Sequence, residues 1–172
     1  MYVQLDKISG NARCWIYTLE NINRNVSEEI NKFLTKLCEN WMTHGQPVKA
    51  SYKIYNGSYI ILFAEKSISG CSIDDTNRSI REKLNDLSIG IMPNSKIGIF
   101  NDEKIVYYDR LSLINKLKKR ELLITDKMIN TTVQTKDEYD KKFNHTLKNA
   151  RGFKTSDNRY FEMNQNGELH RY

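Results

Sequence analysis

The chain has 172 residues, 39% of them hydrophobic and 28% charged, which suits one domain with a real core plus a polar appendage. No apolar run approaches the roughly 20 residues of a membrane-spanning helix, and the charged start Met1-Tyr2-Val3-Gln4-Leu5-Asp6-Lys7 lacks the apolar core of a secretory signal. The 27 basic and 21 acidic residues leave a formal charge of +6, which favours anionic partners at long range without demanding one.

Three cysteines, Cys14, Cys38 and Cys71, are odd in number and widely spaced. They form neither a disulfide framework nor paired metal ligands, so free thiols in a reducing cytoplasm are expected. No metal site and no cofactor is expected, and neither a glycine-lysine phosphate loop nor a dinucleotide-binding glycine pattern occurs.

In chain order, Ala12 to Leu19 reads as a strand with apolar groups on both sides. Ile30, Phe33, Leu34, Leu37 and Trp41 form a helical stripe, with Asn25 and Glu28 in capping-box positions and a predicted end near Thr43-His44-Gly45. Val48, Ala50, Tyr52 and Ile54 alternate with polar residues as a half-buried strand, and Asn56-Gly57 is a hairpin signal. The following strand, Ser58 through Ala64, is apolar on both faces and is expected at the middle of a sheet. A helix is predicted from about Ile73 to Leu87, with Ser72 as its cap and Asp75 as the capping-box acid.

Ile97, Ile99 and Phe100 pair in expectation with Ile105 to Tyr108 as a hairpin, followed by a short helix over Leu111 to Leu123. Met128 to Val133 reads as a short strand or a loop, and the capping box Thr135/Glu138 opens a final helix to about Ala150, stopped by Gly152. The domain is taken as residues 1–152. Residues 153–172 form a polar extension in which Arg159 to Met163 and Glu168 to Tyr172 flank a hairpin-like Asn164-Gln165-Asn166-Gly167. Strand, helix, strand, strand, helix, strand is the split βαβ order, so the fold class is α+β, a ferredoxin-like core with an added hairpin strand and C-terminal helices.

The candidate chemistry gathers around Ser69-Gly70-Cys71-Ser72-Ile73-Asp74. Cys71 just before a helix N-terminus has the setting of a thiolate, with His44 as base and Asp74 as orienting group. The same terminus offers an anion site in which Ser72, Arg78 and Arg81 bind ligand. Lys116, Lys118, Lys119 and Arg120 form the densest basic patch, a candidate nucleic-acid surface. His145 on the last predicted helix and His170 in the tail are taken as incidental.

Trp41, His44-Gly45, Lys49-Ala50-Ser51-Tyr52, Ile60-Ile61-Leu62 and Ser69 to Asp74 together resemble a family of small cytosolic proteins from Bacteroidota often labelled "ABC transporter ATPase". The resemblance covers roughly the first 150 residues and implies that His44 and the Cys71 loop belong to one site, without implying a mechanism.

The leading functional expectation is a non-enzymatic cytosolic binding protein that engages an anionic or macromolecular partner through the loop and helix from Cys71 to Arg81 and a basic surface. RNA, a ribonucleoprotein or another protein would be the partner, and no membrane is involved. The alternative is a small cysteine-dependent hydrolase or transferase using Cys71, His44 and Asp74.

Overall fold

The computed structural model describes residues 1–20, 27–65, 68–102 and 104–147, together with the backbone of 24–26, 161–163 and 169–171. The chain is a mixed α+β protein with antiparallel sheets. Strands β1 (Arg13–Thr18), β4 (Ala50–Tyr55) and β5 (Tyr59–Ala64) form a three-stranded sheet in the order β1-β5-β4. All six residues of β5 are buried, so the strand predicted for the middle of the sheet is there. Asn56 and Gly57 both have positive φ, 48° and 62°, and Ser58 N donates to Tyr55 O at 3.1 Å to close the turn between β4 and β5.

Helices α1 (Arg24–Asn40) and α2 (Gly70–Asp86) cover one face of this sheet. Ile30, Leu34 and Cys38 of α1 and Ile80 and Leu84 of α2 meet Ile60, Leu62 and Ala64. The opposite face carries Tyr59, Ile61 and Phe63 into a second core. That core is closed by a second sheet of β6 (Ile97–Asn101), β7 (Lys104–Tyr108), β8 (Lys127–Ile129) and β9 (Asn144–Thr146), in the order β7-β6-β8-β9, and by the short helix α4 (Lys136–Lys142). Helix α3 (Arg110–Lys118) packs Leu113 on the far side of the second sheet, against Ile99 and Met128. Alternate residues of β6 thus serve two cores, Phe100 facing the first sheet and Ile99 facing α3.

Several expected boundaries shift for local reasons. Helix α1 ends at Asn40, short of Thr43, because Met42–Thr43 (β2) pairs with Gln46–Pro47 (β3). His44 (φ 48°) and Gly45 (φ 75°) make that hairpin turn, so the left-handed glycine serves a hairpin and not a helix end. Asn25 lies inside α1 and is not its cap. Helix α2 starts at Gly70 with Ser69 as cap, three residues before the Ser72 expected there. Helix α3 is capped by Asp109 and stops at Lys118, short of Leu123. Helix α4 has the predicted Thr135/Glu138 box, with Glu138 N donating to Thr135 Oγ1 at 3.2 Å. It lasts only seven residues because Asn144–Thr146 joins β8, which moves His145 from a helix to a strand.

The strand at Ile97 pairs with β7 and β8 and not with β1. Beside β1 the chain after α2 forms two isolated antiparallel bridges, Leu19 with Ile91 and Arg13 with Thr135. In the C-terminal extension Phe161–Met163 (β10) pairs antiparallel with Leu169–Arg171 (β11). The expected turn residues Asn164 to Gly167 and the expected stop Gly152 lie outside the described residues. Among the described residues no helix is long and apolar enough to cross a membrane.

The two sheets approach closely at Gly98, where a Cβ would meet the Tyr59 hydroxyl at 2.2 Å and Ile105 Cγ2 at 2.8 Å. Gly98→Ala is therefore expected to destabilise the protein by about 1–3 kcal/mol through overpacking. Adding Tyr59→Phe, which removes the nearer obstacle, should recover part of that loss, and urea unfolding midpoints of the single and double variants measure it.

Candidate functional site

The start of α2 is held by a polar network running to β2. Ser69 Oγ accepts from Ser72 N at 3.3 Å, and Ser69 N donates to Thr43 Oγ1 at 3.0 Å. Trp41, only 5% exposed, donates its indole N–H to Ser72 Oγ at 2.8 Å. Ser72 Oγ in turn donates to Met42 O at 2.6 Å, and Thr76 Oγ1 donates to Ser72 O at 2.9 Å. The Ser72 hydroxyl, expected to bind ligand, is thereby engaged as both donor and acceptor within the protein. The Trp41 ring lies 6.0 Å from Trp15, over which the Arg13 guanidinium sits at 5.0 Å.

The other expected site residues are exposed around this clamp. Cys71 is the one exposed cysteine among three free thiols. Asp74 is exposed on the same first turns, and His44 is exposed at the tip of the β2–β3 turn. Among the described residues no hydrogen bond joins Cys71, His44 and Asp74. Arg78 is ion-paired with Asp75 one turn back. Arg81 lies close enough to Tyr17 to oppose the effect of burial on that phenol, whose hydroxyl donates to Asn77 Oδ1. Cys14 and Cys38 are buried, and burial pushes both thiols up to about 12, so neither supplies a thiolate at neutral pH.

The second candidate region is the C-terminal end of α3. Asp109 anchors the start of this helix, accepting from Ser112 N and Ser112 Oγ at 2.8 Å each, and these bonds hold its carboxyl below the usual range. At the other end Lys116 donates to Glu121 at 2.7 Å and lies 5.5 Å from the Tyr108 ring centroid. Hydrogen bonding within that pair raises the lysine and lowers the glutamate. Lys118, Lys119 and Arg120 are exposed and have no ion-pair partner among the described residues. Arg120 adopts a left-handed φ of 59° that turns the chain off the helix.

This turn opens a cleft of about 490 Å³ between the β6–β7 hairpin and the segment after α3. Its lining is mainly polar, from Asn101, Asp102, Lys116, Glu121 and Asp126, with Val106 and Leu122 as a smaller apolar part. Asp126 Oδ2 accepts from Leu123 N at 2.8 Å, which holds the loop in place. Sequence reasoning found the basic patch but not the cleft, because the lining comes from three separated stretches. Among the described residues no cluster of three or more histidine, cysteine or acidic side chains could hold a metal ion.

Comparison with protein-family models, with curated proteins and with solved structures found no match to this chain.

Replacing Ser72 by Ala leaves the buried Trp41 N–H without its acceptor, and a cost of about 1–3 kcal/mol is expected. Thermal unfolding of Ser72→Ala against Ser79→Ala, a control further along the same helix, checks this.

Proposed function

We propose that the protein is a non-enzymatic binding protein that engages an anionic macromolecule, RNA or a ribonucleoprotein, through the basic end of α3. The observation that carries this reading is the group Lys118, Lys119 and Arg120, exposed together and without ion-pair partners among the described residues. Neighbouring Lys116 is paired with Glu121 and Arg78 with Asp75, whereas Lys118, Lys119 and Arg120 are three consecutive exposed cations. The overall charge of +6 supplies long-range attraction of the same sign. In this reading the start of α2 is a structural clamp whose outer surface borders the sheet.

A ferredoxin-like split βαβ core is part of the proposal. The order β1, α1, β4, β5, α2, with the small β2–β3 hairpin inserted after α1, supports it, and the Leu19–Ile91 bridge stands where its fourth strand would pair with β1. A cytoplasmic location accords with three unpaired thiols, and the resemblance to the Bacteroidota family belongs to the same reading.

The test is fluorescence anisotropy of the full chain with a single-stranded RNA at several salt concentrations. Lys118→Gln, Lys119→Gln and Arg120→Asn together are expected to weaken binding and to reduce the slope of log K against log salt by about 2, at roughly 0.7 per lost phosphate contact. Asn is chosen at position 120 because it tolerates a left-handed φ. Unchanged affinity and slope would overturn the assignment of the surface.

A second reading, a thiol-dependent hydrolase or transferase, is favoured by one fact: Cys71 is exposed on the first turn of the 17-residue α2. If Cys71 is a nucleophile served by His44 and Asp74, iodoacetamide should alkylate it at neutral pH faster than free cysteine, and His44→Ala should slow the reaction. Alkylation no faster than that of free cysteine, unaffected by His44→Ala, removes this reading.

A further inference from the structure

The cleft beside α3 deepens the binding reading and rests on it. Its volume, about 490 Å³, falls in the range that holds a small planar ligand. Val106 and Leu122 form a minor apolar part of a mainly polar lining, and the cleft lies beyond the end of α3 at Lys118. The rim presents acceptors. Asp102, at the β6–β7 turn, has no hydrogen-bond or ion-pair partner among the described residues, whereas Asp126 has one oxygen engaged by Leu123 N. Asp102 is therefore the carboxylate with both oxygens open to a ligand.

The basic turn adjoins this acceptor rim. Glu121 lines the cleft and follows Arg120 directly, and the charge of Lys119 reaches it. A ligand suited to both surfaces carries anionic groups on one side and a flat, donor-bearing ring on the other, which describes a nucleotide within a strand. An isolated organic cation would satisfy the carboxylates but meet repulsion from the three neighbouring basic groups. Among the bases, guanine alone offers two adjacent donors, N1–H and the 2-amino group, on its pairing edge, and a carboxylate accepts both at once. A paired base has that edge occupied, so the strand must be single.

We propose that this cleft receives one unpaired guanine of a single-stranded nucleic acid, with Asp102 accepting from its pairing edge and Lys118, Lys119 and Arg120 holding the flanking phosphates.

The experiment measures anisotropy of the full chain with uridine-rich RNA and thymidine-rich DNA oligonucleotides, each uniform or carrying one central guanine or hypoxanthine. Hypoxanthine lacks the 2-amino group. The guanine strand is expected to bind about 10-fold tighter than the uniform strand, with part of that gain lost on the hypoxanthine strand. A guanine preference with either sugar supports the assignment. Asp102→Asn, which keeps a residue tolerant of the left-handed turn (φ 53°), should abolish the preference, read as the ratio of guanine-strand to uniform-strand affinity within the same variant. Val106→Phe, which adds bulk to a residue lining the cleft, should also abolish the preference, and thermal melts confirm that both variants fold. Strands that bind equally well with and without guanine would overturn this inference and leave the basic-surface reading standing. Binding of no strand at all would overturn both.

Discussion

Burial of β5 on both faces is the constraint on which the rest of the protein depends. A six-residue strand with no exposed residue exposes a wide apolar surface unless each side of its sheet is covered. One side recruits α1 and α2, whose apolar stripes meet Ile60, Leu62 and Ala64. The other needs a broad partner for Tyr59, Ile61 and Phe63, and the second sheet with α4 supplies it. Each added layer then has an outer surface of its own. Behind the second sheet, α3 covers Ile99 and Met128 but ends before the β6–β7 hairpin tip, and the uncovered remainder is the cleft.

The same requirement decides what happens to the polar residues at the edge of the first sheet. Trp41 is drawn into the core by its bulk, but its indole N–H needs an acceptor once buried. Ser72 provides one, and by bonding onward to Met42 it fastens the first turn of α2 to β2. Ser69 and Thr43 repeat the attachment one step away. Residues whose types suggest ligand chemistry are thus occupied with satisfying a buried aromatic group. Cys71 and Asp74, on the outer side of the same turn, stay exposed.

Electrostatics sorts the surface in a comparable way. Arg78, Lys83, Lys116 and Lys136 each have an acidic partner within reach, which cancels much of the local field of an otherwise basic chain. Such exposed pairs contribute little to stability. At the end of α3, by contrast, three consecutive exposed cations, Lys118, Lys119 and Arg120, have no ion-pair partner among the described residues.

The sequence by itself determined the elements whose signals are local: the period-2 strands, the helical stripe of α1, the Asn56-Gly57 turn, the β6–β7 hairpin and the Thr135 capping box. It also determined that β5 lies mid-sheet, because an unbroken apolar run leaves no side for solvent. Tertiary structure decided what two distant segments settle together. Trp41 continues the α1 stripe in sequence, yet pairing of β2 with β3 ends the helix before it. Tyr139, Phe143 and Leu147 share a helical spacing, yet β8 captures the chain after Lys142 and makes it a strand. Ile97 has the pattern of a fourth strand for the first sheet, but an apolar strand fits either sheet, and only the need to cover the second face of β5 placed it in the other. The basic patch was visible as consecutive residues, whereas the cleft beside it was not, since its walls adjoin only after α3 has packed onto the second sheet.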